Sequence, residues 1–315
     1  MSTSLSTVRR EPLATVVVND PSVAVATTSR IADYIELCKP RILTMALIAM
    51  AVAGIAAATG NPNWLILFNA LVGTALVAAS SSIVNQVFER NVDAAMPRTE
   101  SRPIAAGRIK PSDASWLAAA LMLSGMIYLF ATTNTTVTSL ALLTWLLYAF
   151  VYTPLKQLTV LNTIVGAVPG ALPILIGWTA VSGGTVDARG LWLFSILFVW
   201  QFPHFMAIAW IYKSQYSNAG FRMMSHNDEN GRRSGVTAVI GAAILLGVVV
   251  LQPVVGMGSI LAVVPATLLA IGQLSYSFAF LQNTNDYTAR RLLRASLIFL
   301  PAHLIIVTLS QFGIF

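Results

Sequence analysis

Nine continuous apolar runs divide this chain, at 42–58, 64–84, 114–131, 137–152, 161–181, 191–211, 235–255, 259–281 and 295–312. The runs do not alternate apolar with polar positions, so membrane strands are not the reading. Most are long enough to cross a bilayer as helices. The pattern predicts an all-α polytopic membrane bundle of about nine transmembrane helices. The second run carries no ionisable residue and ends at Asn85-x-x-x-Glu89-x-x-x-Asp93. If its helix continues past Val84, these three side chains share one face, because residues four apart stack along a helix.

The links between runs are unequal. Those such as 60–63 and 132–136 are short and nearly uncharged, whereas 85–112 and 212–234 are long and polar. Functional residues concentrate on such loops when a rigid scaffold carries them. Each long loop follows a run entered from the same side, which hints at a two-fold repeat. Residues 1–30 are rich in Ser, Thr, Val and Ala without helical periodicity, and read as a disordered tail. No apolar core follows the early arginines, so they do not form a signal peptide. Residues 31–315 read as one membrane domain. Pro and Gly interrupt the fifth run at 166–173, and Pro203 interrupts the sixth, as membrane helices tolerate where protein or water satisfies the freed carbonyls.

Composition agrees with a bilayer: 56% of residues are hydrophobic and only 10% charged, against about 25% charged in soluble domains. The net charge of +7 does not point to nucleic acid, because 18 of the 19 basic residues sort to alternate loops and only Arg189 lies on the other side. The positive-inside rule then puts the N-terminus in the cytoplasm or matrix and the C-terminus outside. Cys38 is the single cysteine, which excludes a disulfide framework, a cysteine metal site and a redox pair.

Candidate chemistry gathers at one mouth of the bundle. Asn85, Glu89 and Asp93 are oxygen ligands, and Arg98 and Arg102 follow in Met96-Pro97-Arg98-Thr99-Glu100-Ser101-Arg102-Pro103. Carboxylates hold hard cations such as Mg2+, and guanidinium forks hold phosphate oxygens. A solvated helix end with ordinary surface charges is the plain alternative. Tyr152-Thr153-Pro154-Leu155-Lys156 ends the fourth run, where Lys156 is either an interfacial anchor or a cation aimed at phosphate. His204 lies within the sixth run, with Gln201 three residues earlier and expected on the same face. It is either a functional intramembrane group or a neutral histidine bonded to a carbonyl freed by Pro203. His303 reads as structural and His226 as a solvated loop residue.

These segments, with Lys39-Pro40-Arg41-Ile42, Asn162, Gly170-Ala171-x-Pro173, Gly177-Trp178, Gln201-Phe202-Pro203-His204-Phe205 and Tyr216-x-x-Ala219-Gly220-x-x-Met223, keep an order and spacing that resembles the heme-farnesylating branch of the intramembrane aromatic prenyltransferases. The resemblance spans about 33–312; the acidic motif marks only the superfamily, while Met-x-Arg-Thr-x-x-Arg-Pro and Gln-Phe-Pro-His-Phe are more specific to the branch. It implies a helix bundle around a central cavity, with farnesyl diphosphate and heme B as substrates, Mg2+ as the metal, heme O as product and heme A synthase as a partner. It implies that Asn85, Glu89 and Asp93 hold magnesium-diphosphate and that Arg98, Arg102, Lys156 and Lys213 neutralise the departing diphosphate. Tyr152, Gln201, Gln215 and Tyr216 are implied substrate contacts, and His204 a catalytic group. One position departs: Gln215 stands where the branch carries an aspartate before the tyrosine, which puts a second metal in question.

Three rival readings remain at this level: a prenyltransferase for another aromatic acceptor such as a quinone precursor, a non-catalytic heme carrier, and a secondary transporter. The last is disfavoured because the ionisable residues cluster at one mouth rather than at the midplane. The short tail favours a bacterial plasma membrane over a mitochondrial inner membrane.

Overall fold

The structure is a computed structural model that describes residues 29–59 and 61–314. The expected tail falls almost entirely outside the described residues. Among them, nine helices are long and apolar enough to cross a membrane, and no strand occurs. A short helix, α1 (Arg30–Leu37), precedes α2 (Pro40–Ala57), α3 (Trp64–Ala94), α4 (Pro111–Thr132) and α5 (Thr135–Leu146). Next come a π-helical segment (Leu147–Tyr152), α6 (Thr153–Leu158), α7 (Asn162–Val181) and α8 (Ala188–Ile211). The chain ends with the short α9 (Lys213–Asn218), then α10 (Arg232–Val250), α11 (Ile260–Gln282) and α12 (Asp286–Gln311).

Helix ends follow local chemistry. Asn63 caps α3 through Oδ1, which accepts from the Ile66 amide at 3.2 Å, and Asn285 with Thr288 forms a capping box on α12. Pro40 and Pro111 open α2 and α4, where no amide is needed. The seventh apolar run reaches 255, but α10 stops at Val250 because Pro253 cannot continue it. Helices α3 and α4 pack together, as do α2 with α7 and α10 with both α8 and α11. The most enclosed span is α7. Gly177 lets α2 approach it: an added Cβ would collide with the Met50 carbonyl.

Two features of this frame place the site. Helix α3 runs ten residues beyond its apolar stretch, so the acidic motif is helical rather than loop. The long polar links then shorten to 95–110 and 219–231, the second preceded by α9.

Candidate active site

The three motif residues do share one face of α3, and that face is covered: Asn85, Glu89 and Asp93 are 0%, 4% and 1% exposed. Each meets a basic residue from a different segment. Lys156, on α6, donates from Nζ to Glu89 Oε1 at 2.8 Å. Arg102, in the 95–110 loop, lies 2.7 Å from Asp93 Oδ2 and 2.8 Å from Oδ1. Lys39, between α1 and α2, donates from Nζ to Asn85 Oδ1. Buried charges persist in pairs because an unpaired one is costly. Three cations nevertheless crowd two carboxylates. The crowding shows in Lys39: burial first, then the charges of Arg102 and Lys156, pull its ammonium down to about 7 against the opposing pull of Glu89 and Asp93.

Local structure aims each partner. The 95–110 loop folds back on α3 through the Thr99 hydroxyl, which donates to the Asp93 carbonyl at 2.9 Å. The π segment is the wider turn that often marks functional sites. It sets Thr153 so that its hydroxyl donates to the Tyr148 carbonyl at 2.8 Å and accepts from Asn85 Nδ2 at 3.1 Å. One turn on, the Lys156 ammonium lies 4.6 Å from the centre of the Tyr152 ring. Gly166 on α7 leaves room for that ring, since a Cβ there would clash with it.

Arg98 reaches toward α9. It donates to the Tyr216 hydroxyl at 3.0 Å and lies 4.8 Å from the Tyr212 ring centre. Burial raises the Tyr216 hydroxyl above its ordinary range, so it stays protonated. Lys213 stands apart: its ammonium donates to the Asp228 carbonyl at 2.7 Å and sits over the Trp210 ring. The Gln215 side-chain oxygen is buried without a hydrogen-bond partner. Asp228 does not replace the missing acid, because its carboxylate caps α10 through the Ser234 amide and hydroxyl at 2.9 and 2.8 Å.

Gln201 and His204 diverge, contrary to the expectation of a shared face. Gln201 Nε2 donates to the Ala167 carbonyl of α7 at 2.9 Å. His204 turns to α12, where Nδ1 meets Ser296 Oγ at 2.8 Å, and it stacks on Trp200. The Ser296 hydroxyl donates to the Leu293 carbonyl, so its oxygen accepts from His204 Nδ1–H and Nε2 keeps a lone pair. The carbonyl freed by Pro203 is therefore not its partner. His303 is fully buried with both ring nitrogens unpartnered, stacked on Phe299.

Of the residues named from the sequence, the structure brings Asn85, Glu89, Asp93, Arg102 and Lys156 together, and it adds Lys39, Thr153 and Tyr212 as neighbours of named residues. Lys39-Pro40 was the available signal for the first; Thr153 needed the π turn, which no short pattern announces. Among the described residues no three His, Cys, Asp or Glu side chains converge. The donors on α3 are two carboxylates and an amide oxygen. That set fits Mg2+, which takes one or two protein carboxylates and completes its shell with water and phosphate oxygens.

A profile of the UbiA prenyltransferase family matches residues 46–300. The protoheme IX farnesyltransferase of Rhodopirellula baltica is 40% identical over 87% of this chain and 98% of its own length. That of Solibacter usitatus is 36% identical over 85% and 95%, and the mitochondrial protoheme IX farnesyltransferase of Arabidopsis thaliana is 37% identical over 85% of this chain and 62% of its own. Among solved structures, a UbiA homolog from Archaeoglobus fulgidus bound to DMAPP and Mg2+ superposes with a TM-score of 0.64 at 18% identity, covering 88% of this chain and 99% of that one. A digeranylgeranylglyceryl phosphate synthase superposes with a TM-score of 0.76 at 15% identity, covering 91% and 100%. These structures share the fold.

Proposed function

Because this chain belongs to the UbiA prenyltransferase family, we propose that it transfers the farnesyl group of farnesyl diphosphate to a vinyl group of heme B, giving heme O. The observation that carries the reading is the buried α3 face, where Glu89 and Asp93 are each bonded to a basic residue from a separate segment. Relatives named protoheme IX farnesyltransferase along most of the chain support the same acceptor.

Asn85, Glu89 and Asp93 would hold Mg2+, which supplies positive charge to the diphosphate oxygens. Arg102 and Lys156 are partly buried cations already in place, so they stabilise charge that develops on the leaving diphosphate with little solvent reorganisation. Arg98, held by Tyr216, orients the same group from the α9 side. As the C–O bond of the allylic diphosphate breaks, farnesyl C1 bonds to the terminal carbon of the vinyl group. A water hydroxyl joins the adjoining vinyl carbon and its proton leaves. The lone pair on His204 Nε2 suits that proton. Apolar helices keep other water from the farnesyl cation. We place this chemistry on the cytoplasmic side of a bacterial plasma membrane, the side to which the basic loops assign it, with heme A synthase as consumer of the product.

An acceptor competition tests the assignment. With farnesyl diphosphate and Mg2+ present, equal heme B and 4-hydroxybenzoate should give a farnesylated heme alone. Farnesylated benzoate as the main product would move the chain to another acceptor class.

A further inference from the structure

We propose that Lys39, outside the acidic and arginine motifs, is a diphosphate-binding residue of this site. This rests on the prenyl-transfer reading and adds a cation to it. Lys39 holds φ 50° and ψ 59°, a left-handed backbone that a residue with a Cβ adopts only under constraint. Pro40 follows, and a residue before proline is already pushed out of the right-handed helical region. The residue as a whole is partly exposed, yet its ammonium is enclosed and reaches Asn85.

The surroundings over-determine this geometry. Asp33 of α1 accepts from Arg108 Nε at 2.9 Å, and Gln86 on α3 donates to the Leu37 carbonyl at 2.7 Å. Leu37 is wholly buried among Ile83, Ile104 and Ile109. Both ends of α1 are thus tied, one to the loop that carries Arg102 and the other to α3. The Lys39 amide and carbonyl finish α1 and start α2. A long flexible side chain could have stayed in solvent with its neighbour Arg41. Instead the strained junction delivers a third basic side chain to the cluster that holds Glu89 and Asp93. Three basic side chains beside two carboxylates favour a bound anion, and the diphosphate that Asn85 would help to hold is that anion.

The test uses the purified, unmutated protein beside Lys39→Met, Lys39→Arg and Lys39→Gln. Dissociation constants for inorganic diphosphate with Mg2+ are measured alongside KM for farnesyl diphosphate and for heme B. Loss of a charge-assisted hydrogen bond should weaken diphosphate binding about tenfold or more and raise the farnesyl diphosphate KM in step. The heme B KM should stay within twofold, and Lys39→Arg should recover most of the affinity. If Lys39→Met fails to fold, Lys39→Gln must show the same loss. Unchanged diphosphate affinity in a folded uncharged variant, even with lowered thermal stability, overturns the role of Lys39. An unmutated protein that binds magnesium-diphosphate through Lys39 but makes no farnesylated heme overturns the acceptor reading and leaves Lys39 standing. No diphosphate binding by the unmutated protein overturns both.

Discussion

Asp93 and Gln215 carry the sharpest consequences for single side chains. Asp93→Ala removes a proposed metal ligand and leaves Arg102 without its 2.7 Å partner. Turnover should fall by at least a hundredfold in a single-turnover assay, and near-normal turnover would sink the metal assignment. Gln215→Asp returns a carboxylate to a position whose present side-chain oxygen is buried and unbonded. Heme product per minute should hold or rise; a clear loss would mean that this position serves another purpose. Residue types were readable where spacing and charge coincided, as at Asn85, Glu89 and Asp93. They were unreadable where a partner comes from afar: Lys39 lies 46 residues from Asn85. Lys213 was expected at the diphosphate and instead bonds the Asp228 carbonyl. A lysine's loop is legible in a sequence, and its direction is not.

Among elements, the apolar runs foretold the nine spans, because the lack of water inside a bilayer leaves helices few alternatives. Their ends were less legible. Helix α3 outlasts its apolar run because Glu89 and Asp93 find partners that let them stay covered. The π segment was hidden because its residues, 147–152, read as an ordinary apolar helix. Close approach of α2 and α7 depends on Gly177, so Gly177→Ala should destabilise the bundle by about 1–3 kcal/mol, the usual cost of overpacking. A lowered thermal midpoint in detergent checks this, and no shift would show that α2 and α7 can separate freely.

For the whole molecule, the sorting of basic residues predicts orientation. In a Cys38→Ser background, Val186→Cys should react with a membrane-impermeant maleimide in intact cells, and Asn230→Cys only after permeabilisation. The reverse pattern would invert the topology. The arrangement as a whole is an apolar helical bundle with a charged mouth, where cations wait on carboxylates that a metal and a diphosphate would share. The measurement that tests this most directly is made on membranes containing the protein, incubated with heme B and farnesyl diphosphate, with extracted hemes resolved by mass. The account predicts a heme O mass that appears with Mg2+, vanishes with EDTA, returns when Mg2+ is restored, and is absent from Asp93→Ala membranes under every condition. Heme O formed equally in EDTA or by Asp93→Ala, or farnesyl diphosphate left unconsumed by the unmutated protein, would contradict it.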